Sequence, residues 1–321
     1  MRTRSRYVAW VAWMAWVTRA AAIASACAIG TALAAEAPDL KSSAALVIDE
    51  ETGEVLYGKN ESAVVPIASI TKIMTAIVTL DAGLPLDETI TVTADDAEAG
   101  AAKRKARLPV GATLTRAEHL QLALMASENR AAAALGRAYP GGMDAFVAAM
   151  NAKAHELEMT DSRFVEPTGL SSENVSSAGD LAKLVRSAKA YPLIAEYSIL
   201  PSADYTIRSR RVAFANTNGL VRGGSWEIGL SKTGFINAAG RCLVMQARVA
   251  TRSLIIVLLD SVGKYTRIGD ANRIRQWLDP SFTPPAAAVK TAARTKQPAA
   301  VRSQRPPAAR ARVEAKVPAP Q

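Results

Sequence analysis

Short apolar runs at two places in the chain indicate β-strands. Ala44 to Ile48 and Val55 to Tyr57 lie on either side of a short polar segment, which predicts a β-hairpin. Arg241 to Ala250 and Ser253 to Leu259 are separated by two polar residues and predict a second strand pair. We therefore expect β-sheet near both ends of the folded part.

Between these strand pairs the apolar positions recur at helical spacing. Ile70, Ile73 and Ile77 predict a helix over Ser69 to Leu80. The same reasoning predicts helices after a capping box at Thr115 to Glu118, and over Met143 to Leu157, Ala178 to Ala190 and Lys264 to Leu278. The order predicts an α+β domain in which both chain ends form one antiparallel sheet covered by helices, with a helical middle segment.

The first 35 residues have the pattern of an export signal. Basic residues precede an apolar run that ends in small residues, so cleavage is expected near Ala35 and the destination is the periplasm. The basic Arg19 interrupts the apolar stretch, and a start at Met14 instead of Met1 would give a cleaner signal. A membrane anchor is the alternative, but the apolar run after Arg19 is shorter than the roughly 20 residues that span a bilayer.

The last segment, residues 284–321, is rich in Ala, Pro, Lys and Arg and is predicted to be a disordered basic tail. A solvated linker is the simplest interpretation. The alternative is a weak electrostatic contact with anionic wall polymer or a membrane surface. The folded domain is accordingly expected to occupy residues 36–283.

The net charge of +10 is concentrated in the two terminal segments, which leaves residues 36–283 close to neutral. A near-neutral domain does not supply the cationic groove that nucleic acid requires, so a nucleic-acid partner is excluded. The chain has two cysteines, and removal of the signal would leave Cys242 alone, without an internal disulfide.

Ser69 and Lys72 are three residues apart, so on a helix a hydroxyl and an amine share one face. That arrangement suits a serine nucleophile activated by a lysine. The pattern is also common by chance, and a serine at a helix start is often only an N-cap.

Two further polar triplets follow in the chain. Ser127 and Asn129 lie in a predicted turn between two apolar helices, where the alternative is an ordinary capped turn. Lys232, Thr233 and Gly234 precede the second strand pair, which places a cation and a hydroxyl on an edge strand beside a glycine that admits close backbone approach.

Together and in this order, the three elements resemble those of penicillin-binding proteins and class A β-lactamases. The similarity extends over roughly residues 40–279, including the segments 68–76, 107–111, 127–132 and 231–235. Within the low-molecular-mass D,D-peptidases, residues 216–218 and 240–247 resemble the D-alanyl-D-alanine endopeptidases of the penicillin-binding protein 7 type.

The resemblance implies roles for individual residues. Ser69 would be the nucleophile, Lys72 the base that accepts its proton, and Ser127 the relay to the leaving amine. The implied substrate-binding residues are Asn129, Lys232, Thr233, Gly234, Phe235 and Arg267, with the backbone amides of Ser69 and Phe235 forming an oxyanion hole. We expect burial and the neighbouring ammonium of Lys232 to lower the pKa of Lys72.

Other candidate residues have less specific surroundings in the sequence. Arg267 is either the arginine that meets the substrate carboxylate or a surface helix cation. Glu166 is interpreted as a loop residue, and the run Lys103 to Lys105 as a solvated loop near the cleft. His119 and His155 lack a third ligand at metal spacing and are expected to be satisfied histidines, so neither metal nor cofactor is predicted.

The resemblance implies a serine endopeptidase that hydrolyses D-alanyl cross-links between peptidoglycan stem peptides and binds β-lactams covalently. The alternatives are a D-alanyl-D-alanine carboxypeptidase, a β-lactamase, and an inactive wall-binding protein. Stable penicillin labelling would exclude the β-lactamase.

Overall fold

A computed structural model describes residues 36–99 and 108–284 of the chain. The predicted export signal, the run Lys103 to Lys105 and all of the basic tail beyond residue 284 lie outside these residues. Asp39 and the described residues after it belong to one compact unit.

The strands and helices are numbered in chain order. The strands are β1 (Ser42–Asp49), β2 (Val55–Lys59), β3 (Val65–Pro66), β4 (Thr89–Thr91), β5 (Thr113–Thr115), β6 (Val175–Ser176), β7 (Ser202–Ile207), β8 (Arg210–Ala215), β9 (Glu227–Ile236), β10 (Gly240–Val249) and β11 (Arg252–Ser261). The helices are α1 (Lys72–Asp81), α2 (Ala94–Ala99), α3 (Arg116–Met125), α4 (Asn129–Arg137), α5 (Gly142–Glu156), α6 (Ala178–Ala188), α7 (Pro192–Ile199), α8 (Gly219–Gly223) and α9 (Thr266–Leu278), and a 3-10 turn spans Ala68–Thr71.

The main sheet has five strands in the order β2-β1-β11-β10-β9, and each neighbouring pair is antiparallel. The N-terminal strand β1 pairs with the C-terminal strand β11, from Ser42 opposite Ser261 to Asp49 opposite Leu254. This confirms the predicted α+β fold with a sheet built from both chain ends. Strand β9 forms one edge of the sheet, so the backbone groups on its outer side have no strand partner within this sheet.

Helices cover both faces of this sheet because β11 is apolar on both sides. Ile255 and Val257 pack with the helical middle segment, whereas Ile256 and Leu258 pack against α9. Such a continuous apolar run is typical of a strand that is buried on both faces.

The two chain ends are also joined by the buried carboxylate of Asp270 on α9. It accepts hydrogen bonds from the backbone N–H of Lys41 and of Ser42 and from Ser42 Oγ, at 2.7 to 3.1 Å. Because all these donors belong to the start of β1, Asp270 anchors the first strand to the last helix.

Helix α1 lies in the centre of the helical segment. Every residue from Lys72 to Thr79 is buried, so this helix contacts protein on all sides. The predicted start at Ser69 differs from the structure, because residues 68–71 form a 3-10 turn before the α-helix begins. Among the helices of the described residues, none combines the length and apolarity needed to cross a bilayer.

Candidate active site

Ser69 lies in the 3-10 turn that leads into α1. The preceding Ala68 has a φ of +49° and is fully buried, so the turn presents Ser69 from a constrained backbone. Lys72 is the first residue of α1, and its Nζ lies 3.0 Å from Ser69 Oγ. The spacing of three residues thus brings the two groups together across the junction of the 3-10 turn and the helix.

The Lys72 ammonium is completely buried and has three hydrogen-bond partners. Nζ contacts Ser69 Oγ, Asn129 Oδ1 at 2.8 Å and the carbonyl oxygen of Thr168. Burial lowers the pKa of Lys72 to about 8, although the carboxylates of Glu166 and Glu128 act in the opposite direction. About one lysine in eleven is therefore neutral at pH 7, a far larger share than for a lysine of ordinary pKa.

The turn between α3 and α4 supplies the second hydroxyl. Ser127 has a φ of +57°, and its Oγ accepts a hydrogen bond of 2.9 Å from Lys232 Nζ. Glu128 caps α4 by accepting from the backbone N–H of Arg130, and Asn129 begins the helix with its amide oxygen on Lys72. The turn predicted from the sequence therefore faces both lysines.

Strand β9 carries the second lysine. Lys232 is buried, and besides Ser127 Oγ its Nζ contacts the carbonyl oxygen of Thr233 at 3.0 Å. Burial and the nearby charges of Lys72 and Arg267 hold the pKa of Lys232 well below its ordinary value. The repulsion between the two ammonium groups was expected to lower the pKa of Lys72, but it lowers the pKa of Lys232 instead. Burial is the main cause of the lowered pKa of Lys72.

Two glycines allow β9 and a loop to approach the Ser69 turn. A Cβ added to Gly234 would lie 2.8 Å from the carbonyl oxygen of Ile67 and 3.1 Å from the backbone nitrogen of Ser69. A Cβ on Gly169, whose φ is +78°, would lie 2.0 Å from the carbonyl oxygen of Ala68. The predicted close approach at Gly234 is present, whereas the one at Gly169 was not expected.

The loop that contains Gly169 is organised by Glu166. Its carboxylate accepts from the backbone N–H groups of Thr168, Gly169 and Ser171 and from Asn174 Nδ2. This anchoring holds the Thr168 carbonyl against Lys72. Glu166 is a loop residue, as predicted, but it also holds the backbone that places the Thr168 carbonyl on Lys72, a role that the sequence did not indicate.

Thr233 and Phe235 alternate with Lys232 and Gly234 along β9. Thr233 Oγ1 lies 2.6 Å from Thr217 Oγ1, which belongs to the segment before α8 and was also missed as a site residue. Phe235 is 49% exposed at the edge of the sheet. The two side chains lie on the sheet face opposite to that of Lys232.

Arg267 is buried beneath this strand, so the alternative of a surface helix cation is wrong. Its Nη1 donates to the carbonyl oxygens of Gly234 at 2.8 Å and Cys242 at 3.2 Å. Burial, together with the charge of Arg241, lowers the pKa of Arg267 to about 10. Arg267 supports the strand backbone and does not contact the group of Ser69, Lys72, Ser127 and Lys232.

The histidines lie apart from this group. His155 is exposed, whereas His119 is buried with Nδ1 3.0 Å from the carbonyl oxygen of Thr115. His119 Nε2 lacks a hydrogen-bond partner, so the expectation of a satisfied histidine is wrong at this atom. Within residues 36–99 and 108–284, no cluster of three or more potential metal ligands occurs.

The site therefore combines a serine hydroxyl, a buried amine that contacts it, and a second hydroxyl held by a second buried amine. Depressed lysine pKa values allow an amine to accept a proton at ordinary pH. The arrangement is suited to acyl transfer through a covalent serine ester, without a requirement for a cofactor among these groups.

Comparison with known proteins points to one family. The model of the D-alanyl-D-alanine carboxypeptidase family matches residues 31–263. The D-alanyl-D-alanine endopeptidase of Pseudomonas aeruginosa is 49% identical over 243 residues, covering 75% of this chain and 78% of that protein. The endopeptidase of Escherichia coli K12 is 46% identical over 251 residues, covering 77% and 80%.

Solved structures of related enzymes share the fold. The Streptomyces K15 DD-transpeptidase superimposes with a TM-score of 0.70 at 27% identity, covering 75% of this chain and 97% of its own. A D-alanyl-D-alanine carboxypeptidase from Mycobacterium tuberculosis H37Rv also gives 0.70, at 29% identity and with 79% and 96% coverage.

Proposed function

Since this chain belongs to the D-alanyl-D-alanine carboxypeptidase family, we propose that it is an exported serine D,D-endopeptidase that hydrolyses D-alanyl cross-links in peptidoglycan. The observation that carries the proposal is the hydrogen bond between Ser69 Oγ and the buried Lys72 Nζ, with Lys232 and Ser127 facing them. The two endopeptidases at 49% and 46% identity support the choice of cross-links as substrate.

In the acylation step, Ser69 Oγ attacks the carbonyl carbon of the D-alanine while neutral Lys72 takes the hydroxyl proton. The C–N bond of the tetrahedral intermediate then breaks, and the leaving amine receives a proton through Ser127, which contacts Lys232. Water hydrolyses the resulting serine ester, releases the stem peptide and restores Ser69.

The backbone N–H groups of Ser69 and Phe235 are proposed to stabilise the negative oxygen of the tetrahedral intermediate. The contact of Gly234 with the Ser69 turn supports this pairing, because it brings β9 against the backbone of the nucleophile. One such donor is typically worth about 3 kcal/mol of transition-state stabilisation. Asn129, Thr233 and Arg267 are proposed to bind or support the bound peptide.

A D-alanyl-D-alanine carboxypeptidase is the second candidate. Relatives of this name are 33% identical in Mycobacterium tuberculosis and 31% identical in Bacillus subtilis. The same site would then release terminal D-alanine from a pentapeptide stem. The two candidates differ in the leaving group and not in the acylation chemistry.

The proposal is tested with purified protein and two substrates, cross-linked muropeptide dimers and a monomeric pentapeptide. We expect conversion of dimers to monomers, and release of D-alanine alone would favour the carboxypeptidase. Incubation with benzylpenicillin should add one penicillin mass on Ser69. Ser69→Ala should abolish both reactions, while the exposed Ser172→Ala serves as the matched control. A wild-type protein that neither cleaves dimers nor acquires the adduct would refute the proposal.

Export and the role of the tail are further parts of the proposal. Cleavage near Ala35 predicts that the periplasmic protein begins close to that residue, which N-terminal sequencing measures. Truncation after residue 283 tests the tail, since sedimentation with isolated wall sacculi should weaken if the basic residues contact anionic polymer.

A further inference from the structure

The tip of the β7–β8 hairpin carries arginines in a turn that does not favour them. Ile207 pairs with Arg210 across the hairpin, so Arg208 and Ser209 form a two-residue turn. Both have a positive φ, of +48° and +63°, and turns of this kind usually contain Asn and Gly. Arg208, Arg210 and Arg211 are exposed. Turn geometry gives no reason for these arginines, which points to a role in what they contact.

Arg208 is held against the loop that precedes β5. Its Nη2 donates to the carbonyl oxygen of Val110. Gly111 makes room for the guanidinium, since a Cβ on this glycine would lie 2.8 Å from Nη2. Arg130 on α4 reaches the same loop, where its Nη1 donates to the carbonyl oxygen of Leu108 at 2.9 Å. Two arginines from separate elements are thus fixed at one loop.

The positive charge at this loop is largely without anionic partners. Within residues 36–99 and 108–284, Arg130, Arg208 and Arg210 form no ion pair, whereas Arg211 pairs with Asp204 at 2.6 Å. A guanidinium has five N–H donors, and the carbonyl contacts use one donor each of Arg130 and Arg208. We call Arg130, Arg208 and Arg210 the arginine rim. Its free donors and charge suit carboxylate groups of a ligand.

The arginine rim borders the side of the site where the leaving amine is protonated in the proposed mechanism. Arg130 follows Ser127, the proposed proton donor, by three residues in the first turn of α4. The hairpin packs through Tyr205 and Phe214 into the apolar cluster that contains Met125, two residues before Ser127. Both parts of the rim are therefore attached to the Ser127 turn.

The two candidate substrates differ most on this leaving-group side. Terminal D-alanine leaves as a single amino acid, whereas the leaving amine of a cross-link belongs to a whole second stem peptide. That peptide carries free carboxylates, among them the α-carboxylate of its γ-linked glutamate, one residue beyond the residue that supplies the amine. A cationic surface near the leaving amine can therefore attract a cross-link through groups that terminal D-alanine lacks.

We infer that Arg130, Arg208 and Arg210 bind carboxylates of the second stem peptide, and that this contact favours cross-links over terminal D-alanine. The inference rests on the proposed D,D-endopeptidase function. The arginine rim does not contact the reacting groups, so its contribution is the same in the bound substrate and in the transition state. It should accordingly lower KM and leave kcat nearly unchanged.

The test compares three substrates that share one acyl donor, a monomeric pentapeptide and two cross-linked dimers. The dimers differ only in the second stem, whose γ-linked glutamate carries either a free α-carboxylate or its amide. We expect kcat/KM of the wild type to be about fivefold higher for the free carboxylate, through a lower KM. High salt should reduce this difference, because it screens exposed charges.

The double variant Arg208→Gln and Arg210→Gln should reduce the preference for the free carboxylate to less than about twofold. Arg208→Lys with Arg210→Lys should retain part of it, because the charge remains. Hydrolysis of the pentapeptide and acylation by benzylpenicillin should stay within about twofold, since neither compound has a second stem. The matched control is Arg248→Gln with Arg252→Gln, which removes the same charge from two half-exposed arginines at the β10–β11 turn.

Equal kcat/KM for the two dimers in the wild type would overturn the inference, and this comparison does not depend on the folding of any variant. A double glutamine variant that keeps the wild-type preference would also overturn it. So would an equal loss for all three substrates and for penicillin, because that result indicates a structural role of the hairpin. Failure of the proposed function would look different, since neither dimer would then be converted to monomers.

Discussion

The pH dependence of Ser69 acylation follows directly from the burial of Lys72. Its pKa falls from an ordinary value of 10.5 to about 8, which corresponds to a cost of about 3 kcal/mol for the protonated form in the folded protein. From a pKa of about 8, about one lysine in eleven is neutral at pH 7 and about ten in eleven at pH 9. If neutral Lys72 is the base, the rate of acylation should rise about tenfold between these two pH values and then level off.

The assay is stopped-flow acylation by a fluorescent penicillin under single-turnover conditions, which isolates formation of the serine ester from its hydrolysis. Glu128→Gln should move the rising limb to lower pH, because removal of a carboxylate that favours the ammonium lowers the pKa of Lys72 further. The substitution keeps a side-chain oxygen for the cap of α4. Glu54→Gln, in the exposed hairpin turn, should leave the limb unchanged.

A rate that is independent of pH, or a limb near 10.5, would refute the reasoning, because Lys72 would then not act as a buried base of depressed pKa. A Glu128→Gln limb at higher pH would also contradict it, since the sign of the charge effect would be reversed.

Three further outcomes follow from the structure. Gly169→Ala should lower penicillin acylation at least tenfold, because its Cβ would collide with the Ala68 carbonyl, whereas Gly53→Ala, with a similar φ of +76° and open space around it, should not. Lys72→Met should lose activity. The free energy of unfolding of the wild type should increase by about 3 kcal/mol relative to this variant as the pH rises from about 8 to 10.5, because in this range Lys72 is protonated only in the unfolded chain. Urea unfolding at several pH values measures this difference. Asp270→Asn should lower the free energy of unfolding by about 2 to 4 kcal/mol by weakening its contacts to Ser42, with little change in acylation at low temperature.

The features that local patterns determine were predictable from the sequence. The strands at both chain ends follow from short apolar runs, and the capping box at Thr115 and Glu118 is present with both of its hydrogen bonds. Ser69 and Lys72 meet because a separation of three residues also brings side chains together where a 3-10 turn continues into a helix. Such contacts depend on neighbours in sequence.

The remaining contacts depend on tertiary packing and on backbone atoms. The Thr168 carbonyl reaches Lys72 across 96 positions in the chain, and a carbonyl oxygen has no signature in a sequence. The one available signal was Gly169, whose positive φ and close contact with Ala68 require glycine. The burial of Arg267 and of His119 likewise depends on tertiary packing. It is set by which face of each helix packs against the sheet or a neighbouring helix, and the local sequence does not determine that face.

The hydrogen-bond partners of Lys72 also explain how it can act as a base. An ammonium has three N–H donors, and Ser69 Oγ, Asn129 Oδ1 and the Thr168 carbonyl accept all three. A neutral amine keeps only two donors and gains a lone pair. Because an amide oxygen and a carbonyl oxygen can only accept, they retain the two donors, and the lone pair is left to face the Ser69 hydroxyl. Loss of one proton therefore turns Lys72 from a donor into an acceptor for Ser69 without movement of any other group. Glu166 contributes at a distance, because it fixes the loop that keeps the Thr168 carbonyl in this role.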